Sequence, residues 1–249
     1  MIWGGFLVSG LYEFLAWNGG EYTPAPVLFI IFALVCIIVP YLLGSLNFAI
    51  IISHKKYKDD IRNHGSGNGG MTNMLRTYGK GTAALTLVLD MLKAVVSVVL
   101  GSVLLGICFG GYMAGFFCML GHMFPIYYRF KGGKGVATVA AMILVLNPIL
   151  FLILIFMFVV IVGGSKFISL GSVICVMFYP VLLHTLNEIQ FDDLIAMGAK
   201  PGIDVIFAFL IAVMVVFMHR SNIKRLLSGT ESKVSLGKKK ENSDGDVNK

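Results

Sequence analysis

Charge is scarce in this sequence: Asp, Glu, Lys and Arg make up 13% of its 249 residues, against 57% hydrophobic residues. With a mean hydropathy of +0.85, such a chain has too little polar surface to stay dispersed in water. That excludes an ordinary soluble domain and leaves an integral membrane protein. The four cysteines, Cys36, Cys108, Cys118 and Cys175, each lie inside an apolar run. They form no CxxC pair and no Cys/His spacing, so no disulfide framework and no metal site is indicated, and no cofactor is expected. No Lys or Arg precedes the apolar stretch from Ile2 to Trp17, as the n-region of a signal peptide would require, and Glu13 interrupts it. Residues 1–26 therefore read as an N-terminal extension with an interfacial helix, a further span being the alternative. A GxxxxGK[ST] loop is also missing, because Gly81 follows Lys80, which argues against nucleotide hydrolysis.

Long uncharged runs are what the sequence does have. A membrane-crossing helix needs about 20 apolar residues, and residues 27–52 carry no charge at all. Residues 81–128 carry only Asp90 and Lys93 and are interrupted by Gly106, Gly110 and Gly111, which divides them into two spans. Residues 136–164 hold Asn147-Pro148 near their middle, where a proline suits the start of a second helix, giving two short spans. Residues 167–187 and 201–218 supply a sixth and a seventh. The expected fold is thus an all-α, polytopic membrane protein of about seven transmembrane helices. Its membrane domain covers residues 27–231, and the polar tail over 232–249, without aromatics, is expected to be disordered.

If the spans alternate, residues 53–80, residues 128–135, Lys166 and everything from His219 onward share one side. All of the 20 lysines and arginines except Lys93 and Lys200 then lie there, or 18 of them, while Glu13, Glu21, Glu188, Asp192, Asp193 and Asp204 collect opposite. The positive-inside rule puts the basic side, with the C-terminus, in the cytoplasm. That accounts for the net charge of +7 without a nucleic-acid partner.

Three polar, glycine-bearing segments fall on this one side. In residues 60–81 (DIRNHGSGNGGMTNMLRTYGKG), Gly65, Gly67, Gly69 and Gly70 leave backbone N–H groups unobstructed for an anion-binding nest. Arg62, Ser66, Asn68, Thr72, Asn73 and Arg76 add donors suited to a phosphate; a flexible linker is the plainer alternative. In residues 130–138 (FKGGKGVAT), Lys131 and Lys134 bracket Gly132 and Gly133, with Gly135 next to a helix start near Val136. A helix N-terminus beside two ammonium groups makes a second anion site, unless the lysines only anchor the helix at headgroups. In residues 219–231 (HRSNIKRLLSGTE), His219 and Asn222 share a helix face, although a polar group merely satisfied at the boundary gives the same pattern. Asp90 and Lys93, also three apart, are either functional or a bracing ion pair. His54 to Asp59 fits the H-x4-D pattern of a different glycerolipid acyltransferase superfamily, but it stands among Lys55, Lys56 and Lys58 without that context and reads as coincidence.

Taken in order, Gly44-Ser45, Asp60-Ile61-Arg62 followed by GSGN and TN, Arg76, Asp90 with Lys93, GHMFP at 121–125, FKGGKGVAT, SLGS at 169–172 and HRSNIKRLLSGTE resemble one family. It is the bacterial acyl-phosphate:glycerol-3-phosphate acyltransferases, the PlsY family. Met71 stands where that family usually has Ala, Ala94 where Gly is usual and Asn47 where Pro is common. The resemblance implies transfer of a fatty acyl group from acyl phosphate to the sn-1 hydroxyl of glycerol 3-phosphate, giving lysophosphatidic acid and phosphate in phospholipid synthesis. It also implies a bacterial inner or plasma membrane location, contact with membrane lipid, and a soluble acyl-phosphate-producing enzyme as partner. Ser66, Arg76, His219 and Asn222 would be catalytic. Arg62, Gly65, Gly67, Asn68, Gly69, Thr72 and Asn73, with Lys131, Gly132, Gly133, Lys134 and Gly135, would bind substrate, and Asp90, Lys93, Arg225 and Glu231 would support them.

Two chemistries stay open: an acyl-serine at Ser66 with His219 as base, or direct attack by the glycerol hydroxyl with His219 or the substrate's phosphate accepting the proton. Rival functions are an organic-anion transporter, for which no inverted repeat is visible, and acyl-CoA-dependent transfer. The topology is directly testable. Reporter fusions after Lys249 should be cytoplasmic and fusions near Phe191 external; both on one side would break the alternation.

Overall fold

The structure is a computed structural model that describes residues 10–13, 15–18, 21–22, 25–190 and 202–233. The tail from residue 234, and Asp192, Asp193 and Lys200, lie outside the described residues. A hairpin of two-residue strands, β1 (Trp17–Asn18) and β2 (Glu21–Tyr22), is the only departure from helix and turn among them. The helices are α1 (Pro26–Ser45), α2 (Phe48–Tyr57), α3 (Met71–Tyr78), α4 (Lys80–Leu105), α5 (Tyr112–Met123), α6 (Val136–Leu146), α7 (Pro148–Ser165), α8 (Ile168–Ile189), α9 (Ile203–Met218) and α10 (Arg220–Leu227). Of the expected N-terminal helix, residues 10–13 and 15–16 are helical. Tyr12 meets Phe29 edge to face, 5.3 Å between centroids, so this segment packs on α1.

Four helical stretches are long and apolar enough to cross a membrane: Pro26–Tyr57, Lys80–Tyr128, Pro148–Ser165 and Ile168–Ile189; a fifth joins α9 to α10 across a 59° bend. The 49 residues of Lys80–Tyr128 would reach about 73 Å as one straight helix, far beyond a hydrocarbon core of roughly 30 Å. They form a hairpin instead, because a π-helical turn (Gly106–Gly111) reverses the chain with Gly106 at φ 77°. Gly101 and Gly110 face each other there so closely that a Cβ on either would enter the other's backbone. This is the glycine break expected from the sequence. Asn147-Pro148 also acts as expected: Asn147 Oδ1 accepts the Leu150 N–H (2.9 Å) and Pro148 opens α7. The preceding α6 has 11 residues, about 16 Å, roughly half a crossing.

The helices are amphipathic in the inverted sense that lipid requires. On α4, Leu85, Val88, Leu92 and Val96 lie exposed at three- and four-residue spacing, while Asp90, Lys93 and Ser97 are buried on the other side. The core is assembled from α4, α5, α6, α7, α8 and α9 around Met119, Met142, Leu150, Tyr179 and Ile211. Cys36 and Cys118 are buried fillers of two smaller apolar clusters beside it.

Small residues permit the closest approaches. A Cβ at Gly44 would meet the Cys118 carbonyl carbon at 2.8 Å and Cα at 2.9 Å, backbone atoms that cannot rotate aside. Gly44→Val should therefore separate α1 from α5 and cost about 1–3 kcal/mol, the usual penalty for overpacking. A clear fall in the melting temperature of detergent-purified protein would show it, and an unchanged melting temperature would contradict this packing.

Candidate active site

The three polar segments meet at one end of the helix bundle. Asp60 opens the first: its Oδ1 accepts the Arg62 N–H (2.9 Å), and its carboxylate takes Arg62 Nε and Nη2 at 2.6–3.1 Å. The remaining guanidinium donor, Nη1, reaches the carbonyls of Tyr128 (2.9 Å) and Lys131 (3.3 Å). Arg62, expected to bind substrate, instead stitches the first loop to the second. Its guanidinium holds Asp60 well below the ordinary carboxylate range. His54 makes its ionic contact with Asp60 (3.4 Å), while Asp59 pairs with His64 (2.5 Å). The two ends of the H-x4-D pattern therefore do not meet, and neither lines the cavity described below.

Asn73, 2% exposed, shapes the glycine loop from inside. Its Nδ2 donates to the carbonyls of Ile61, His64 and Asn68 at 2.9–3.0 Å, and its Oδ1 accepts the Ser66 N–H at 3.1 Å. Three more loop amides are committed: Gly67 N–H to His64 O, Gly69 N–H to Gly132 O and Gly70 N–H to Asn68 O. Gly132 and Gly133 donate to Met123 O and His122 O. Of the glycine amides expected to form a nest in the first loop, those of Gly67, Gly69 and Gly70 are thus engaged. The glycines serve turning and close approach: Gly65 and Gly67 have φ of 55° and 72°, and a Cβ at Gly133 would press on Gly69 O at 2.7 Å.

What remains open lies in a cavity of about 370 Å³ lined by Ser66, Asn68, Thr72, Asn73, Arg76, Asp90, Lys134, Gly135, His219, Asn222 and Glu231 at its polar end. Gly65, Gly67, Gly69, Lys131, Gly132 and Gly133, also expected to bind substrate, do not line it; nor does Lys93. Phe151, Leu154, Ile155, Phe158, Val176 and Tyr179 form its apolar body. Gly135 caps α6 at φ 79°. Since Val139 N–H is the first to bond back, to Gly135 O, the amides of the first turn of α6 keep the dipole end of the helix open to an anion.

The third segment supplies a bonded set. Lys134 Nζ donates to Asn222 Oδ1, and Asn222 Nδ2 donates to Glu231 Oε1 (2.7 Å). Glu231 also accepts Ser169 Oγ–H (2.8 Å) and Arg225 Nε–H (2.7 Å). Burial would raise Glu231, but those hydrogen bonds from Asn222, Arg225 and Ser169 hold it below its ordinary value. His219 sits at the bend between α9 and α10, 3% exposed, with Nδ1 2.8 Å from Val215 O. A carbonyl only accepts, so Nδ1 carries the proton and Nε2 is the acceptor of the neutral ring. Arg225 borders a second, smaller polar hollow with Lys134, Arg220 and Ser221 at the mouth.

The glycerol-3-phosphate acyltransferase model matches residues 34–229. The chain belongs to that family. It is 39% identical over 210 residues to a glycerol-3-phosphate acyltransferase of Thermoanaerobacter pseudethanolicus, covering 84% of this chain and 98% of that one. To the Halalkalibacterium halodurans protein of the same description it is 41% identical over 206 residues, covering 81% and 94%. Among solved structures it is similar to PlsY, an integral membrane glycerol 3-phosphate acyltransferase. In the glycerol 3-phosphate form the TM-score is 0.68, with 30% identity over 82% of this chain and 96% of that one. In the lysophosphatidic acid form the values are 0.66, 29%, 82% and 95%. Family membership makes this protein a membrane-embedded glycerol-3-phosphate acyltransferase, the reading that the ordered motifs implied.

Two lining residues had no role assigned from sequence: Ser169, bonded to Glu231, and His122, whose side-chain partners Lys93 and Asp90 are both on α4. Both stand in stretches that carry the family resemblance, SLGS and GHMFP, without a role being implied for either.

Burial, with Arg225 and Arg76 nearby and Glu231 opposing, lowers Lys134 to about 8. Its ammonium is present below that value and lost above it. If Lys134 holds a substrate phosphate, kcat/KM for glycerol 3-phosphate should fall as pH rises through about 8, because that ratio reports the free enzyme. In Lys134→Arg, whose guanidinium does not titrate there, the fall should vanish; an identical pH profile in the variant would remove Lys134 from the binding role.

Proposed function

We propose that the protein takes its acyl group from an acyl phosphate and passes it directly to the sn-1 hydroxyl of glycerol 3-phosphate, releasing phosphate and lysophosphatidic acid at the cytoplasmic face of the membrane. One observation carries this reading: a single cavity joins a cationic, donor-rich end to an apolar body between helices. An acyl phosphate is an amphiphile of that shape, with a charged head for Lys134, Arg76 and the α6 N-terminus and a hydrocarbon chain for Phe151, Leu154 and Tyr179. Two PlsY structures similar to it are a glycerol 3-phosphate form and a lysophosphatidic acid form.

Direct attack is the simpler chemistry. The acyl–phosphate bond is already activated, so the hydroxyl oxygen forms the new ester bond as the phosphate leaves with the bonding pair. The hydroxyl proton goes to His219 Nε2 or to a substrate phosphate oxygen. No hydrogen bond joins Ser66 to His219 among the described residues, and His219 Nδ1 is engaged with Val215, an arrangement that favours direct attack over an acyl-serine. Cationic groups stabilise charge on the departing phosphate. The acyl-CoA alternative rested on His54, which lies 55% exposed outside the cavity. Residues 27–231 form the catalytic membrane domain in this reading, and the basic loops give the inner-face orientation.

Purified protein given glycerol 3-phosphate should make lysophosphatidic acid with acyl phosphate and not with acyl-CoA; the opposite result would overturn the donor assignment. Because Lys134 and Asn222 are directly bonded, Lys134→Ala and Asn222→Ala should each lower kcat/KM by roughly 10- to 100-fold, the cost of a charge-assisted hydrogen bond. The double variant should lose little more than either one. Fully additive losses would mean the two residues act separately.

A further inference from the structure

His122 closes α5 with 4% of its surface exposed. The Lys93 ammonium spends its three protons on Gly44 O (2.9 Å), Leu46 O (2.8 Å) and His122 Nδ1 (3.1 Å). An ammonium has no lone pair, so Nδ1 accepts and the ring's proton resides on Nε2. Asp90 Oδ1 is 3.4 Å from Nδ1, yet makes no hydrogen bond with it; that oxygen answers the ammonium at 2.7 Å as an ionic contact. The Nε2 edge of the ring faces Gly133, where any Cβ would strike it. Nε2 has no hydrogen-bond partner among the described residues, and the ring lines the same cavity as Lys134 and His219.

We propose that His122 Nε2–H donates a hydrogen bond to a phosphate oxygen of bound substrate, from glycerol 3-phosphate or from acyl phosphate, and is a catalytic-site residue of this enzyme. His122 lines the cavity, so a bound anion can replace water as the acceptor of its Nε2–H. The cation behind the ring strengthens its donation toward an anion. Glycine at 133 keeps that edge uncovered, which a larger residue would not. The inference rests on the acyltransfer reading for its substrate, but its geometry calls only for an anionic oxygen.

Two variants separate donation from mere support of Lys93. His122→Asn keeps an oxygen for the ammonium but ends short of the cavity; His122→Gln reaches the Nε2 position with an amide N–H. Binding of inorganic phosphate to the purified protein, measured by calorimetry, should weaken roughly tenfold in His122→Asn and stay within about threefold of wild type in His122→Gln. KM for glycerol 3-phosphate and for acyl phosphate, measured separately, should rise in His122→Asn for whichever phosphate the ring contacts. Phosphate binding unchanged in His122→Asn, or lost equally in both folded variants, overturns the proposal. Wild-type protein that binds phosphate through His122 but forms no lysophosphatidic acid would instead refute the acyltransfer reading and leave this one standing.

Discussion

The buried Lys93 ammonium is the contact on which the remaining architecture depends. A charge in a membrane-spanning helix is expensive unless it is neutralised and hydrogen-bonded. Here Asp90 supplies the charge, and Gly44 O and Leu46 O supply acceptors. Those carbonyls sit where α1 stops and α2 has not begun, so the cation lies at the negative end of a helix dipole and fixes the break. The break directs Asn47, whose Oδ1 caps α2 through the Ile50 N–H and whose Nδ2 donates to Gly69 O. Gly69 N–H then binds Gly132 O, while Gly132 and Gly133 return to the end of α5 beside His122. The circuit begins and ends on Lys93.

Its consequence is a division of labour that inverts the ordinary use of glycine-rich loops. Backbone amides that could have cradled a phosphate are used to hold two loops against each other and against α5. The donors that line the cavity are therefore side chains and a helix terminus standing on that braced platform. Such a platform suits catalysis, because donors held by a rigid support lose less on binding than donors on a loop that has to order itself.

How much of this was legible in the sequence follows from the range of each interaction. Apolar runs, the Gly106 to Gly111 reversal and the Asn147-Pro148 junction are local, and they appear as read. The meeting of the polar segments at one end was legible because nearly all of the basic residues follow one parity. Arg62 could not be read correctly, since its acceptors Tyr128 and Lys131 lie 66 and 69 residues away; a lone arginine in a glycine loop resembles a phosphate ligand until those carbonyls are in view. The engagement of Gly69 was hidden for the same reason: its N–H finds Gly132 O from another loop. Asn47 makes two side-chain bonds that a proline could not make, a local gain invisible without Gly69 beside it.

The orientation of the Asn222 amide shows how the polar end is made ready. Glu231 is held ionised, and a carboxylate only accepts, so the amide nitrogen of Asn222 has to face it. The amide oxygen is thereby turned to Lys134, which spends one of its three protons there and keeps two for an incoming anion. Ser169 gives its proton to the same carboxylate, which leaves its oxygen an acceptor toward the cavity. Glu231 thus fixes the direction of the hydrogen bonds through Asn222 and Ser169. Without that carboxylate the amide could flip, the ammonium would lose its oxygen, and the cation would be left partly buried with Arg225 and Arg76 nearby and nothing opposing them.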